Sequence, residues 1–252
     1  MAGPVKTEAI VLRSIRYGEA DRILHLFTPG RGRVGAIAKG VRRARSRFGG
    51  RLEPFGRVDL VLHEGRSDLL TVTGAQSLEA HRRLREDAAA LDAAARACDA
   101  VARLFDTPDP NPAVYNLLCH ELALLDRGAG PDAVTPSAAT HANQLAFRLK
   151  LLVAGGLAPH LAACASCGDA DHLTGFSGAA GGVVCASCEA GAFPLDEAAH
   201  AFLTAALGRT LADAPSASPR ALQQAERAIV DTVEHHAHVH LRPATAGLGS
   251  RA

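Results

Sequence analysis

The sequence predicts an α+β protein of several domains: an N-terminal β-barrel, a C-terminal helical bundle, and a four-cysteine module inserted in that bundle. Three observations predict it. Residues 1–80 hold five short apolar runs parted by turn signals. From residue 81 onward, apolar residues recur every three or four positions. Two Cys-x-x-Cys pairs then interrupt the helical pattern.

The strands come first. Lys6–Ile15 runs through Ala9-Ile10-Val11-Leu12 and ends at the turn Tyr17-Gly18-Glu19-Ala20. Asp21–Thr28 carries Ile23, Leu24, Leu26 and Phe27. Pro29-Gly30-Arg31-Gly32 is a strong turn, because Pro presets one dihedral and Gly permits the other. Arg33–Lys39 is the third run; Val58–His63 and Leu69–Thr73 follow, parted by Glu64-Gly65-Arg66-Ser67. Five short strands at this spacing suggest a small barrel or sandwich, and a five-stranded OB-type barrel is one solution of the right size.

The helices come next. Ala88–Phe105, Ala113–Arg127 and Thr140–Ala154 have helical spacing, separated by Thr107–Pro112 and Gly128–Pro136. Leu195–Leu207 and Pro219–Leu241 are the last two, with Ser218 as N-cap and Pro219 at the first helical position. The layout is a barrel over 1–80, a helical domain over 81–163 and 193–242, a cysteine module over 164–192 and a flexible tail over 243–252.

Cys164-Ala165-Ser166-Cys167 and Cys185-Ala186-Ser187-Cys188 stand 17 residues apart. Each pair aims two sulfurs at one point, and four thiolates meet the tetrahedral preference of zinc. The spacing fits a zinc ribbon, and four protein ligands leave no position for substrate, so one structural Zn2+ is expected. Unrelated buried cysteines and a redox pair are the alternatives. Cys98 and Cys119 sit on apolar helix faces and read as small buried hydrophobes. His235, His236, His238 and His240 crowd the end of the last helix, where His236 and His240 share a face. No HExxH accompanies them, and a polar helix end explains them.

Charge is unevenly spread. Residues 1–80 carry 14 Lys and Arg against 8 Asp and Glu, while residues 164–252 carry 5 against 9. A basic first third on a neutral-to-acidic body suggests a polyanion-binding module. Its centre is Lys39–Arg51, in which Lys39, Arg42, Arg43, Arg45, Arg47 and Arg51 are uninterrupted by any acid. It joins two strands, so it should be a loop on the barrel rim. Binding there should be sequence-independent and salt-sensitive, since the aromatics nearby are few: Tyr17, Phe27, Phe48 and Phe55.

No GxSxG, P-loop or HExxH is present, and the acids Asp21, Glu53, Asp59 and Asp68 lack a metal-nuclease spacing, so an enzyme is not expected. The chain has no apolar run long enough for a membrane span and no signal-peptide core at its start, so it is expected in the cytoplasm.

The stretches Lys6–Arg13, Tyr17–Leu24, Phe27-Thr28, Ala38–Arg43 and Gly50–Phe55 resemble the RecO family of bacterial DNA repair proteins. The two cysteine pairs look like those of its zinc-binding members. The resemblance implies an N-terminal OB-fold, a helical domain and a zinc module. It implies binding of single- and double-stranded DNA, strand annealing without covalent chemistry, and an address at the nucleoid. It also implies action with RecR, alongside RecF, to help RecA load on strands coated by single-stranded DNA-binding protein. Lys39, Arg42 and Arg43 match the family motif as DNA contacts. Arg31, Arg33, Arg45, Arg47 and Arg51 are added from charge and position. The remaining alternatives are a protein-assembly adaptor with incidental DNA contact and a nuclease of unrecognised type.

Overall fold

Alternating apolar residues and the turns between them decide the N-terminal strands. The computed structural model describes residues 3–65, 68–133 and 137–245. In it β1 (Val5–Tyr17), β2 (Asp21–Thr28), β3 (Gly32–Ala38), β4 (Arg57–His63) and β5 (Leu70–Glu79) close into a barrel of order β1-β2-β3-β5-β4. Only β3 and β5 are parallel; the other neighbours are antiparallel. This is the OB-type arrangement. Ala9, Val11, Leu24, Leu26, Ala36, Ala38, Val58, Leu60, Leu62 and Val72 fill the barrel.

A β-bulge between Val11 and Arg13 inserts one residue into β1. An inserted residue exchanges the two faces of a strand. Ala9 and Val11 therefore point into the core, while Arg13, Ile15 and Tyr17 are exposed. The β2–β3 turn is held from outside: Arg33 N–H donates to the Thr107 carbonyl at 3.1 Å. Gly32 has φ +51° there, and a Cβ on it would strike the carbonyl oxygens of Asp109 and Thr107. Only glycine fits both demands.

The chain divides into two compact units, Met1–Val134 and Thr135–Ala252. The boundary falls inside 81–163, read from sequence as the first part of one helical domain. The reason is that the early helices are bound to the barrel. They are α1 (Arg82–Glu86), α2 (Ala88–Leu104) and α3 (Pro112–Arg127). Phe105, after α2, meets Phe27 of β2 edge to face at 6.4 Å. From α3, the Tyr115 hydroxyl donates to Glu8 of β1 at 3.2 Å, and Glu8 is paired with Arg57 of β4 at 2.8 Å. Asp87 and Asn111 cap α2 and α3 by accepting from Ala90 and Val114 N–H.

The second unit contains α4 (His141–Ala154), a small sheet of β6 (Leu173–Ser177), β7 (Gly182–Cys185) and β8 (Phe193–Pro194), then α5 (Glu197–Gly208) and α6 (Pro219–His236). The three helices pack on one another. Ser218 caps α6 and Pro219 opens it, as the sequence predicts. The stretch Gly175–Gly182 between the cysteine pairs forms the β6–β7 hairpin. Helix α6 stops at His236 rather than at Leu241, because His238 is left-handed at φ +54°. The expected tail 243–252 begins anchored: Ala244 is buried, and its N–H donates to Glu226. Residues 246–252 lie outside the described residues.

Candidate nucleic-acid interface and metal centre

Lys39–Leu52 leaves β3 as a series of turns and ends in a 3-10 helix over Gly49–Leu52. It is tied at both ends. At its start Asp21 accepts from Gly40 N–H at 2.7 Å, and Arg42 N–H donates to the Ala20 carbonyl at 2.9 Å. At its end Phe48 and Leu52, 2% and 1% exposed, sink into the barrel core. The segment is therefore a plug whose apolar side is buried and whose cations face water.

The candidate cations divide accordingly. Lys39, Arg42, Arg43, Arg45, Arg47 and Arg51 are all exposed. Lys39, Arg43 and Arg45 make no ion pair among the described residues. Arg42 reaches the Gly18 carbonyl at 3.5 Å, and Arg51 donates to the Phe48 carbonyl at 3.0 Å. Arg47 lies over the Phe48 ring, 4.7 Å from its centroid. Two residues are placed apart from this group. Arg31 is paired with Glu64 at 3.1 Å. Arg33 donates to the Ala102 carbonyl at 3.3 Å and is half-buried, so it is partly engaged at the β3–α2 contact. It also lies beside His25, whose imidazole is held below its ordinary range first by burial and then by Arg33 and Arg13.

The aromatics sort cleanly. Phe27 and Phe48 belong to buried packing, and Phe55 is half-buried with φ +69°. Tyr17 alone of the four stands in solvent, at 54% exposure. The sequence marks this only through the i, i+2 pattern Arg13, Ile15, Tyr17 after the bulge.

In the second unit the Cys164 and Cys185 thiols are buried, Cys188 is half-buried and Cys167 is exposed. The four sulfurs all lie within 4.8 Å of one another, and Cys167 Sγ stands 3.7 Å from Cys185 Sγ. A tetrahedron with Zn–S bonds of about 2.3 Å has edges of about 3.8 Å, so the donor set fits such an ion. Local backbone explains the convergence. The Cys164 carbonyl accepts from Gly168 N–H at 2.8 Å, closing a turn that needs φ +81° at Gly168. Cys185 ends β7, and Ala186–Cys188 turns back as a 3-10 helix.

Electrostatics favour the Cys164 thiolate and oppose those of Cys167 and Cys188. Backbone N–H groups, first Cys185 and then Cys167 and Ser166, bring the Cys164 thiol down to about 6 against the effect of burial. The Asp169 N–H acts likewise on Cys167, yet its hydrogen bonds to Cys164 and Cys185 leave that thiol raised. Cys188 is pushed up to about 12, chiefly because its proton bonds to Cys167 and Cys185. A cation is what would let all four ionise together.

The late histidines do not gather. His236 Nε2 is 2.7 Å from the Gly178 carbonyl, His240 pairs with Glu234 at 2.7 Å, and His235 lies 3.7 Å from Asp231. Among the described residues, the cysteines form the one cluster able to hold a metal ion. Cys98 is buried and its thiol raised by that burial, and Cys119 is pushed up to about 11 for the same first reason. No helix of the described residues is long and apolar enough to cross a membrane.

Comparison with known proteins agrees with this arrangement. Residues 1–81 match the family model described as recombination protein O N terminal, and residues 85–243 match recombination protein O C terminal. A DNA repair protein RecO of Rubrobacter xylanophilus is 41% identical over 232 residues, 89% of this chain and 88% of the relative. One from Bifidobacterium animalis subsp. lactis is 40% identical over 71% of this chain and 72% of the relative. One from Anaeromyxobacter sp. strain K is 36% identical over 92% and 91%. With both halves matched and these relatives covered over 72–91% of their length, the chain belongs to the RecO family.

Proposed function

We propose that this chain acts in DNA repair and homologous recombination by binding single- and double-stranded DNA without sequence specificity and annealing complementary strands. The observation that carries the reading is the barrel plug, which sets Lys39, Arg42, Arg43, Arg45, Arg47 and Arg51 on one solvent-facing segment. Family membership supplies the repair role. Annealing requires two polyanions to approach, and clustered cations lower that repulsion by displacing counterions. Base pairing then supplies the favourable free energy, so no bond-making step and no catalytic residue is needed. Cys164, Cys167, Cys185 and Cys188 hold one structural Zn2+, which ties the two turns of the insert together when bound. With RecR, alongside RecF, the chain helps RecA load on strands coated by single-stranded DNA-binding protein, in the cytoplasm at the nucleoid.

The test is a triple variant, Lys39→Ala, Arg42→Ala and Arg43→Ala, in the full chain. Three fewer phosphate contacts should reduce the slope of log K against log salt by about 2 for single strands. Annealing of coated strands, with and without RecR, should slow in parallel. A folded variant with wild-type slope and wild-type annealing refutes the reading.

A further inference from the structure

Beyond its cations, the barrel presents an outward apolar row, half-buried at Ile23 and Ile37 and exposed at Ile15 and Tyr17. Direct cross-strand pairing places Ile15 opposite Ile23 and Ile23 opposite Ile37, and Ile37 faces Thr71 on β5. Opposite partners share a face of a sheet. None of these isoleucines belongs to the barrel core, and Ile15 is 37% exposed. Tyr17 lies two residues beyond Ile15 on the same face and is the most exposed of the large apolar side chains described.

This face adjoins the basic segment directly. Gly18, next to Tyr17, accepts from the Arg42 side chain, and Ala20 and Asp21 bond to the backbone of Arg42 and Gly40. These contacts fix the β1–β2 turn against Lys39–Arg42. Arg13, two residues before Ile15 on the same face of β1, adds an exposed cation at its other end. The acids nearby are Glu19, which is exposed, and Asp21, which is engaged by Gly40 N–H. The surface is thus an apolar row that ends in an exposed phenol, with positive charge beside it.

We infer that Tyr17, with the Ile15–Ile23–Ile37 row, is a platform for unpaired bases and makes the barrel discriminate single-stranded from duplex DNA. This rests on the DNA-binding reading above. A strand with free bases can lay one on the tyrosine ring while its phosphates meet Lys39 and Arg42. A duplex offers phosphates alone, because its bases are already stacked on each other. The cations set affinity for both forms, and the tyrosine sets the difference between them.

The experiment measures affinity of the full-length chain for a single-stranded oligonucleotide and for the same sequence as a duplex, at several salt concentrations. Tyr17→Ala should weaken single-strand binding about 5- to 150-fold, leave duplex binding unchanged and leave the salt slope unchanged. Tyr17→Phe should restore the single-strand affinity, because the ring is kept. The chain contains no Trp, so Tyr17→Trp introduces one reporter at the site. Its emission should be quenched by the single strand and not by the duplex. Equal weakening of both forms by Tyr17→Ala, no weakening of either, failure of Phe to rescue, or an unquenched indole in a variant that still binds overturns the inference. A wild-type chain that binds neither form overturns the DNA-binding reading itself, and is distinguished from those outcomes by the absence of any binding to compare.

Discussion

Phe48 joins the cation-bearing segment to the barrel core, so its truncation tests whether the fold delivers those charges. The side chain is 2% exposed and packs with Leu52 and the barrel's interior residues. A buried Phe removes about 150–250 Å² from water, and Phe-to-Ala truncation in a core costs about 3–5 kcal/mol. With a urea dependence of about 2 kcal/mol per molar for a unit of this size, Phe48→Ala should lower the unfolding midpoint by about 1.5–2.5 M. Phe48→Leu keeps most of the apolar volume and should cost clearly less. Far-UV circular dichroism in a urea series reads both. In native buffer, Phe48→Ala should also weaken oligonucleotide binding although no charge has been removed. A midpoint within about 0.3 M of wild type would refute the plug, and the segment would then be an independent surface loop.

Other outcomes follow from the same geometry. Gly32→Ala should lower the melting temperature by several degrees, since it combines a left-handed φ with collisions against Asp109 and Thr107. The Arg57 guanidinium holds the Glu8 carboxyl below its ordinary value of 4.5. A lowered folded pKa contributes stability above the unfolded value and loses it as pH falls, so the melting difference between wild type and Glu8→Gln should be full near neutrality and shrink below pH 4.5. That difference should be small, about 1 kcal/mol at most, because the pair is partly exposed. Metal analysis should find about one zinc per chain, and none after Cys164→Ser with Cys167→Ser; a second equivalent surviving that change would point to the late histidines. Chelation should lower the melting temperature while DNA affinity holds, and a chelated chain with unchanged melting would refute a structural role.

Much of the barrel is readable because alternation and Gly-Pro turns are local signals. Strand β2 occupies Asp21–Thr28, the expected run. Strand β5 is longer than its sequence suggests. Beyond Thr73 the residues Gly74, Ala75, Gln76 and Ser77 have little strand propensity, and pairing with β4 holds them extended. Gly74 is useful there because Val61 approaches closely, at 3.1 Å from where a Cβ would be. Helix α1 is five residues, Arg82–Glu86, too short for a period to register. Around the cysteines the ligand set is plain from spacing, but β6–β8 are not, because strands of five, four and two residues are too short for an alternation to register. The cations of Lys39–Arg51 are legible as a group. That Arg33 is partly engaged by a carbonyl and Tyr17 left in water depends on a bulge and a helix that only the folded chain brings together.

The hairpin within the cysteine insert bears on how long the polypeptide survives. Its tip residue Gly178 donates to Asp231 at 2.6 Å and accepts at 2.7 Å from His236, so it grips the last turns of α6 from 53 residues earlier in the chain. During synthesis both cysteine pairs emerge before α6 does, and metal capture can form the hairpin that the helix later docks on. A chain made without metal ends its synthesis with α6 lacking that partner, and the segment between Ser177 and Leu195 opens more often. Proteases act on such openings in proportion to their population. Metal supply would then govern turnover as well as shape, and limited proteolysis of metal-starved protein should nick first within that segment.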